Sequence, residues 1–563
     1  MTAMRAIDVY SGVGGWSLGL RLAGIKVVGS YEWWGPANET NFRNNKHRAQ
    51  TIDVRTLSLK NLPKRIDLVV GSPPCTQFSY ANRGGNGDVA DGLQDLIRFF
   101  EIVAHVRPRF WAMENVPRIA AIIDAELRKG GALYRFRQLG IQHRVINMEA
   151  FGLPQRRSRC IVGNFDFALL DSYRDQTDAQ TLGGVVSALD KGKICDPNYG
   201  IILDRRKLTE HAIEEPLNDE ETRINRAAKR HHPVYNQMPF PDSSRRASRT
   251  VTATCTRVSR ESIVIRDANG RYRRLTLRER ACLQGFPITF QFYGKSHAQK
   301  LRMIGNAMPP PMAYFIAHAM KGTPKSRVPL LTSFAKSLVS PEASPKETRP
   351  ETAGRRYPEN RRFRFAIPNL RLSSGVRFEL SNHFDNASTE WTVDFYYGSS
   401  KSIQSIDLGR PLLRPLLAIV QRRRRDLLSI AKEAEVLVSR SDITNMQSLW
   451  SHRGPGVTRA FDLLDEVGAL GARMRDAFSA DEELAKELVS EALRLQMARS
   501  PIGEEKLLAN SATIASGLLI GSAVNAALDE KSIPSTRKSR RAIVSSHRIA
   551  SSDAPNSPPA VAE

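Results

Sequence analysis

Two short stretches near the start of the chain set chemically capable side chains beside backbone-turning ones. The first, Asp8-Val9-Tyr10-Ser11-Gly12-Val13-Gly14-Gly15, runs from an apolar strand into a glycine turn and then a helical stretch, Trp16–Ala23. Glycines there let the backbone bend tightly beneath a cofactor, as in the first crossover of nucleotide-binding sheets. An ordinary tight turn has the same composition. Glu32 closes the next apolar run, where a carboxylate can bind ribose hydroxyls. Trp33 beside it offers a ring to stack on adenine or to pack into the core. The second stretch, Gly71-Ser72-Pro73-Pro74-Cys75-Thr76-Gln77-Phe78-Ser79, directly follows the strand Leu68–Val70. Pro-Pro after a strand fixes an extended loop at the carboxyl edge of a sheet, where open α/β sheets bind ligands. A cysteine held there is a candidate nucleophile. Gly84-Gly85-Asn86-Gly87 reads as a hinge behind it.

Further motifs follow in order. Glu114-Asn115-Val116 succeeds the strand Phe110–Met113, and Gln155-Arg156-Arg157-Ser158-Arg159 comes next. Arg274-Leu275-Thr276 leads through Arg280 to Gln284-Gly285-Phe286-Pro287, and Gly305-Asn306-Ala307-Met308-Pro309-Pro310 closes the series. With these six motifs in this order, residues 5–320 resemble the DNA (cytosine-5) methyltransferase family. Tyr10 stands where that family usually has Phe, Thr76 where Gln is frequent and Met308 where Val is common.

The resemblance implies a methyl transfer from S-adenosylmethionine to C5 of a cytosine in double-stranded DNA. It assigns Cys75 as the thiolate that adds to C6, a step that a nearby cation assists. It assigns Glu114, carrying or sharing a proton, to N3 and the exocyclic amine, and Arg159 to O2, with Arg157 orienting the loop. The cofactor is expected at Asp8, Tyr10, Gly12, Gly14, Gly15, Glu32, Trp33, Asp53, Pro74 and Asn306. The target base must leave the stacked duplex, at a cost of a few kcal/mol that phosphate and groove contacts recover. The family's target-recognition domain corresponds to residues 166–272. Within it Arg249, Thr252, Thr254, Arg257 and Arg260 are the expected DNA contacts. Arg257 is the foremost base reader, because arginine pairs bidentately with guanine; a phosphate contact is the plain alternative. A restriction endonuclease partner, or solitary action as a monomer on DNA, follows from the same resemblance. An exocyclic-amino methyltransferase, an RNA cytosine-5 methyltransferase and a non-catalytic DNA-binding protein are the rival readings.

These residues need a scaffold, and the chain supplies a pattern for one. Ala6–Tyr10, Lys26–Ser30, Leu68–Gly71, Phe110–Met113, Arg144–Met148 and Cys160–Gly163 are short apolar runs separated by helical spans, which predicts βαβ units and a parallel sheet covered on both faces. The expected fold is an α/β, Rossmann-like methyltransferase core with an inserted recognition domain and a mainly helical C-terminal extension. The expected boundaries are a core at 1–165, the insert at 166–272, a return to the core at 273–322 and a linker at 323–360. A region of unknown role at 361–530 and a disordered tail at 531–563 complete the chain. In the extension, Val376–Leu380 and Trp391–Tyr397 alternate like paired strands, and Ser479 with Glu482 forms a capping box ahead of an apolar helix face.

Composition bounds the reading. The chain has 563 residues, with 83 Lys and Arg against 58 Asp and Glu, a net charge of +25, which favours a polyanionic partner. Residues 223–280 carry 15 basic and 4 acidic side chains, whereas 426–530 sum to about 7 net negative charges. The five cysteines form no CxxC pair, which argues against a zinc ribbon or disulfide framework and for a reducing cytoplasm. His231-His232 lacks companions at ligand spacing, so no metal is expected. Arg422–Arg425 is read as a solvated helix start or a contact to DNA or an acidic surface. No secretory leader is expected at residues 1–30. Ala512–Leu528, short and rich in small residues, is read as a soluble segment and not a membrane span.

Overall fold

The computed structural model describes residues 3–75, 78, 89–178, 180–230, 238–352, 363–372, 376–385, 388–399, 402–446, 460–496 and 504–531. The chain forms two compact units, Met1–Arg355 and Arg356–Glu563.

In the first unit the apolar runs become β1 (Arg5–Val9), β2 (Lys26–Glu32), β3 (Ala49–Thr51), β4 (Leu68–Gly71), β5 (Phe110–Asn115), β6 (Gln142–Asn147) and β7 (Ser158–Gly163). They form one seven-stranded sheet in the order β3-β2-β1-β4-β5-β7-β6. Helices α1 (Gly15–Leu22), α2 (Gly35–Asn45), α3 (Val89–Val106) and α4 (Ile119–Glu126) connect the early strands. Alternation along the strands divides the apolar side chains between two cores. Ile7, Val9, Val69 and Trp111 face α3 and α4, whereas Ala6, Leu68 and Val70 face α1 and the helix Pro310–Met320. Every residue of that last helix is buried, so it completes the sheet's cover although it lies some 300 positions from α1.

The sheet is not wholly parallel as the pattern predicts. β7 runs antiparallel to both β5 and β6. The link between β6 and β7 holds only a short 3-10 turn, Met148–Phe151, and too few residues for a crossover helix, so the chain returns as an antiparallel pair. β3 escapes prediction because its three residues, Ala-Gln-Thr, carry no apolar pattern.

The expected insert holds the antiparallel pair β8 (Lys193–Cys195) with β9 (Ile202–Asp204), and its β10 (Val264–Arg266) pairs with β11 (Tyr272–Arg274), which straddles the expected boundary at 272. It also contributes the helices Leu182–Leu189 and Asp219–Arg230. Its Leu182, Val185, Ile194, Tyr199 and Ile263 share the apolar core that holds Leu283, Phe286 and Met312. The stretch expected as a linker packs on this unit as far as residue 351. Val328, Leu331 and Leu338 are buried in it. Tyr293 donates to the Ala343 carbonyl, Lys300 Nζ donates to that of Lys346 at 2.8 Å, and Glu351 pairs with Arg274 at 3.4 Å. Apolar residues spaced among the prolines explain why it does not behave as free chain.

The second unit opens with a four-stranded antiparallel meander, β12 (Arg364–Arg371), β13 (Arg377–Asp385), β14 (Ser388–Ser399) and β15 (Ser402–Ile406). Phe378 opposes Phe395 and Leu380 opposes Val393, the pairing that the alternation indicates. The helix Ser511–Lys531 is long and apolar enough to cross a membrane, yet 83% of its apolar window is buried inside the unit. A side chain at its Gly517 would sit 2.1 Å from the Phe378 ring, so its small residues let helix and sheet approach closely. The expected capping box is displaced. Ser479 ends the helix Ala460–Ser479, its hydroxyl donating back to the Arg475 carbonyl, and Asp481 accepts from Leu484 N at 3.2 Å to cap the helix Glu482–Gln496. An aspartate two residues on is an equally good cap and competes successfully. His231-His232, the Gly84–Gly87 hinge and the tail beyond Lys531 lie outside the described residues.

Candidate active site

The carboxyl edge of the sheet collects the candidate residues. Close packing fixes where β4 ends, because a side chain at Gly71 would meet the Val9 carbonyl at 2.4 Å. The loop beyond is pinned from two sides. Trp16 Nε1 of α1 donates to Ser72 Oγ at 3.0 Å, and Asn115 Nδ2 at the end of β5 donates to the Pro73 carbonyl at 3.2 Å. Asn115 and Trp16 thus hold the Pro-Pro-Cys turn, a role that sequence reading does not assign to them. Cys75 stands half-buried at its end.

Adjacent strand ends bring the acid and its cation together. Glu114 on β5 is buried, and Arg159 on β7 holds its Oε1 through Nε at 3.0 Å. Burial pushes the Cys75 thiol up from its ordinary value and the Glu114 charge adds to this, while Arg159 and then Arg157 pull the thiol down. The thiol therefore lies within the field of all three groups that the family motifs single out.

Arg157 itself is fully buried. Its guanidinium donates to the carbonyls of Val251 (3.4 Å), Gly305 (3.2 Å) and Ala307 (3.3 Å). Burial, with the Arg159 charge beside it, lowers its pKa to about 9. Gln155 extends the same weld: it accepts from Val251 N and donates to Leu283 O and Gln284 Oε1, and Gln284 in turn donates to Ala307 O at 2.6 Å. Four distant segments are tied behind the pocket by these bonds, which supports a positioning role for Arg157.

The glycine turn forms the second half of the site. Gly15 is required for close approach, since a side chain there would lie 1.9 Å from the Met308 carbonyl. Gly12 has φ +51 and nothing within 4 Å of where a side chain would stand, leaving open space above the turn. Glu32 holds the rim together: Oε2 accepts from Gly12 N at 3.0 Å and Oε1 from Trp34 N at 2.9 Å. Asp8 is fully buried, accepts from Ser17 Oγ at 2.7 Å, and is raised to about 7, chiefly by burial. Its Oδ1, like Ser11 Oγ, is buried without a partner among the described residues. Trp33 is 63% exposed, so it is not core packing, and a flat face remains for an adenine. Asp53, Pro74 and Asn306 are exposed around the same edge. Orphaned polar atoms, an open glycine cradle and an exposed indole together fit S-adenosylmethionine.

The expected DNA contacts fare differently. Thr252 and Thr254 lie in an accessible turn against Gly305, with Thr252 Oγ1 donating to Thr254 O at 2.8 Å. Arg257 is not at the surface. It is 0% exposed, and its guanidinium forks onto Glu221, both bonds at 2.7 Å, while donating to Pro216 O and Glu215 O. Arg249 is bound to Asp242 and to Ser262 O, and Arg260 is buried with Nε on Ala228 O. These three arginines, Arg249 half-buried and the other two buried, brace the 166–272 stretch through its own acids and carbonyls. Among the cations of residues 223–280 whose burial is described, seven are buried: Lys229, Arg257, Arg260, Arg273, Arg274, Arg278 and Arg280. The exposed ones include Arg226, Arg245, Arg246, Arg266 and Arg271. Arg246 lines a cleft of about 280 Å³ with Arg156 and Ser243. Among the described residues no group of His, Cys, Asp and Glu is disposed to hold a metal.

Comparison with known proteins adds the following. The model of the family described as C-5 cytosine-specific DNA methylase matches residues 4–322. The Type II methyltransferase M1.HphI of Haemophilus parahaemolyticus is 30% identical over 333 residues, covering 56% of this chain and 87% of that protein. M.FnuDI of Fusobacterium nucleatum is 27% identical over 346 residues, covering 57% and 95%. M.AplI of Arthrospira platensis is 29% identical over 323 residues, covering 56% and 85%.

Proposed function

The chain belongs to the C-5 cytosine-specific DNA methylase family, and from that premise we propose that it methylates C5 of a cytosine flipped out of duplex DNA through a covalent adduct with Cys75. S-adenosylmethionine is the cofactor, and when bound it supplies the electrophilic methyl group that C5 takes. Gly12, Gly14, Gly15, Glu32, Trp33, Asp53 and Asn306 hold it, with Asp8 and Ser11 offering the buried polar atoms.

The chain's own residues do the rest. The Cys75 thiolate forms a bond to C6, and the C5–C6 π electrons move toward C5 and the N3/O2 side of the ring. Arg159 neutralises the charge that develops at O2. The Arg159 pair holds one Glu114 oxygen and leaves the other to donate a shared proton to N3 and to accept from the exocyclic amine. Arg157 keeps the Gly305–Ala307 and Val251 segments in place around the base. Transfer of the C5 proton to water and breaking of the S–C6 bond, whose electron pair leaves with sulfur, then restore the ring and the free thiolate. The observation that carries this reading is the pair of buried Glu114 and half-buried Arg159 at 3.0 Å, within whose field the Cys75 thiol lies.

The Type II relatives further support a role in restriction-modification; an endonuclease of the same specificity as partner, and action as a monomer on the duplex, belong to the same proposal. A duplex containing 5-fluorocytosine tests the chemistry, because fluorine cannot leave as the proton does. A covalent complex that survives denaturation, and that Cys75→Ala does not form, is expected. N4-methylcytosine as the product, or normal turnover by Cys75→Ala, would overturn it. Methylome sequencing of cells expressing the chain supplies the target site.

A further inference from the structure

Tyr10 departs from the phenylalanine usual at its position, and the added hydroxyl is not idle. It donates to Asp95 Oδ1 on α3 at 3.1 Å. Asp95 is 5% exposed, and Arg55 occupies it from the other side, Nε on Oδ1 at 2.9 Å and Nη2 on Oδ2 at 2.7 Å. The remaining reach of Arg55 goes to Asp91, Nη1 on Oδ1 at 2.8 Å, and its backbone N–H is held by Asp53 Oδ1 at 2.9 Å. We infer that Asp95 and Arg55 are positioning residues for the cofactor, acting through the Tyr10 hydroxyl to hold the ring of Tyr10 against the cofactor pocket. This rests on the reading that Tyr10 and Asp53 line that pocket.

Three separated segments meet at the latch. Tyr10 directly follows β1 at the start of the glycine turn, Asp53 and Arg55 belong to the turn after β3, and Asp91 and Asp95 lie on the first turns of α3. Tyr10 has φ +54, a left-handed backbone that a bulky residue adopts only when its surroundings hold it there. The hydroxyl bond supplies such a hold at the far end of the ring. Burial and the Asp95 charge both push the phenol up, so Tyr10 stays protonated and remains the donor. A phenylalanine at position 10 would leave the Asp95 side chain against an apolar ring with Arg55 as its remaining tether. The polar set is therefore matched: the tyrosine, the buried acid and the fork of the arginine each satisfy the next.

A double-mutant cycle in the full chain separates positioning from plain stability. The variants are Tyr10→Phe, Asp95→Leu and the two combined, with Arg55→Met alongside. The measurements are Kd for S-adenosylmethionine by equilibrium binding, KM for cofactor and for DNA, and the melting temperature. Loss of one buried hydrogen bond is expected to weaken cofactor binding about fivefold in Tyr10→Phe, and about tenfold or more in Asp95→Leu, while KM for DNA stays within about twofold. The combined variant is expected to bind no worse than Asp95→Leu, because both partners are gone and an apolar pair replaces them. Single effects that multiply in the combined variant, or a Tyr10→Phe Kd within about twofold of wild type, overturn the proposal. If Asp95→Leu does not fold, Tyr10→Phe and Arg55→Met decide by whether the loss falls on cofactor Kd or on melting temperature alone. Absence of S-adenosylmethionine binding by the unmodified protein would instead refute the functional reading beneath it.

Discussion

Removing Arg257 should cost stability and leave sequence selectivity intact. The guanidinium and Glu221 are each about 1% exposed, joined by two bonds of 2.7 Å, and the carboxylate has one further donor, Asn218 N at 3.0 Å. Arg257→Ala strands a buried carboxylate, a change worth about 3–5 kcal/mol. Replacing both partners with apolar residues, Arg257→Met with Glu221→Leu, removes the charge along with its partner and should recover most of that loss. The same figures settle whether Arg257 swings out to read a base when DNA binds. A bidentate guanine contact returns about 1–3 kcal/mol, less than breaking the pair costs, so the arginine stays inside. The assay is urea unfolding followed on the recognition segment by hydrogen exchange, together with methylation of a randomised duplex library. An alanine variant as stable as the parent but relaxed at one base of its site would refute the argument and return Arg257 to the groove.

Other expectations follow from the same geometry. Because burial and Glu114 push the Cys75 thiol up, the thiolate fraction rises through about pH 7–9, so single-turnover adduct formation should climb up to tenfold per pH unit there. Arg159→Met removes a charge that pulls the thiol down, so its profile should move to higher pH; an unmoved profile would show that Arg159 does not act on the thiol. Glu32→Ala frees Gly12 N and Trp34 N, and should raise the cofactor Kd more than tenfold by titration calorimetry with little change in DNA affinity. Asp481→Ala should destabilise its helix by about 1 kcal/mol in thermal melts, and Ser479→Ala by far less. If the exposed Arg226, Arg245, Arg246, Arg266 and Arg271 meet phosphates, neutralising all five should flatten the slope of log affinity against log salt by about 4 to 5; a change of less than about 1 would mean that other cations hold the backbone.

What could be read from the sequence was whatever depends on local pattern. Six of the seven core strands are runs of four or more residues with apolar, β-branched character, and each forms within two residues of its expected bounds. The motif residues Cys75, Glu114 and Arg159 stand at or near strand ends, so the sheet alone brings them to one edge. Contacts across long sequence gaps were illegible. Nothing around Arg257 announces a partner 36 positions earlier, and an arginine beside serines and threonines reads as surface. The 323–352 segment looks like a linker because its proline, serine and charge content dominates the few apolar residues that dock it. β7 failed for a related reason, since strand direction is set by the length of a connection and by its neighbours, not by the strand's own residues.

The charge excess that first suggested a nucleic-acid partner is thus divided between two tasks. Arg274 is engaged with Glu214 and Glu351, Arg278 with Glu210, and Arg273 with Glu279, all inside the unit that carries the site. An aliphatic side chain would fill the same space, but would not carry the forked geometry that fixes one arrangement of three or four segments. If the chain flips its target as proposed, it must hold the 166–272 insert, the Gln155–Arg159 turn and the Gly305–Ala307 turn in register while a base is driven between them. Arg157 does this at the centre, reaching Val251, Gly305 and Ala307 from one guanidinium. Replacing it with lysine would keep a charge and lose the fork, so one ammonium would have to serve carbonyls on two separate segments. On the proposed function, the buried arginines would limit how far the pocket walls move on base entry, and the exposed ones would draw in the duplex.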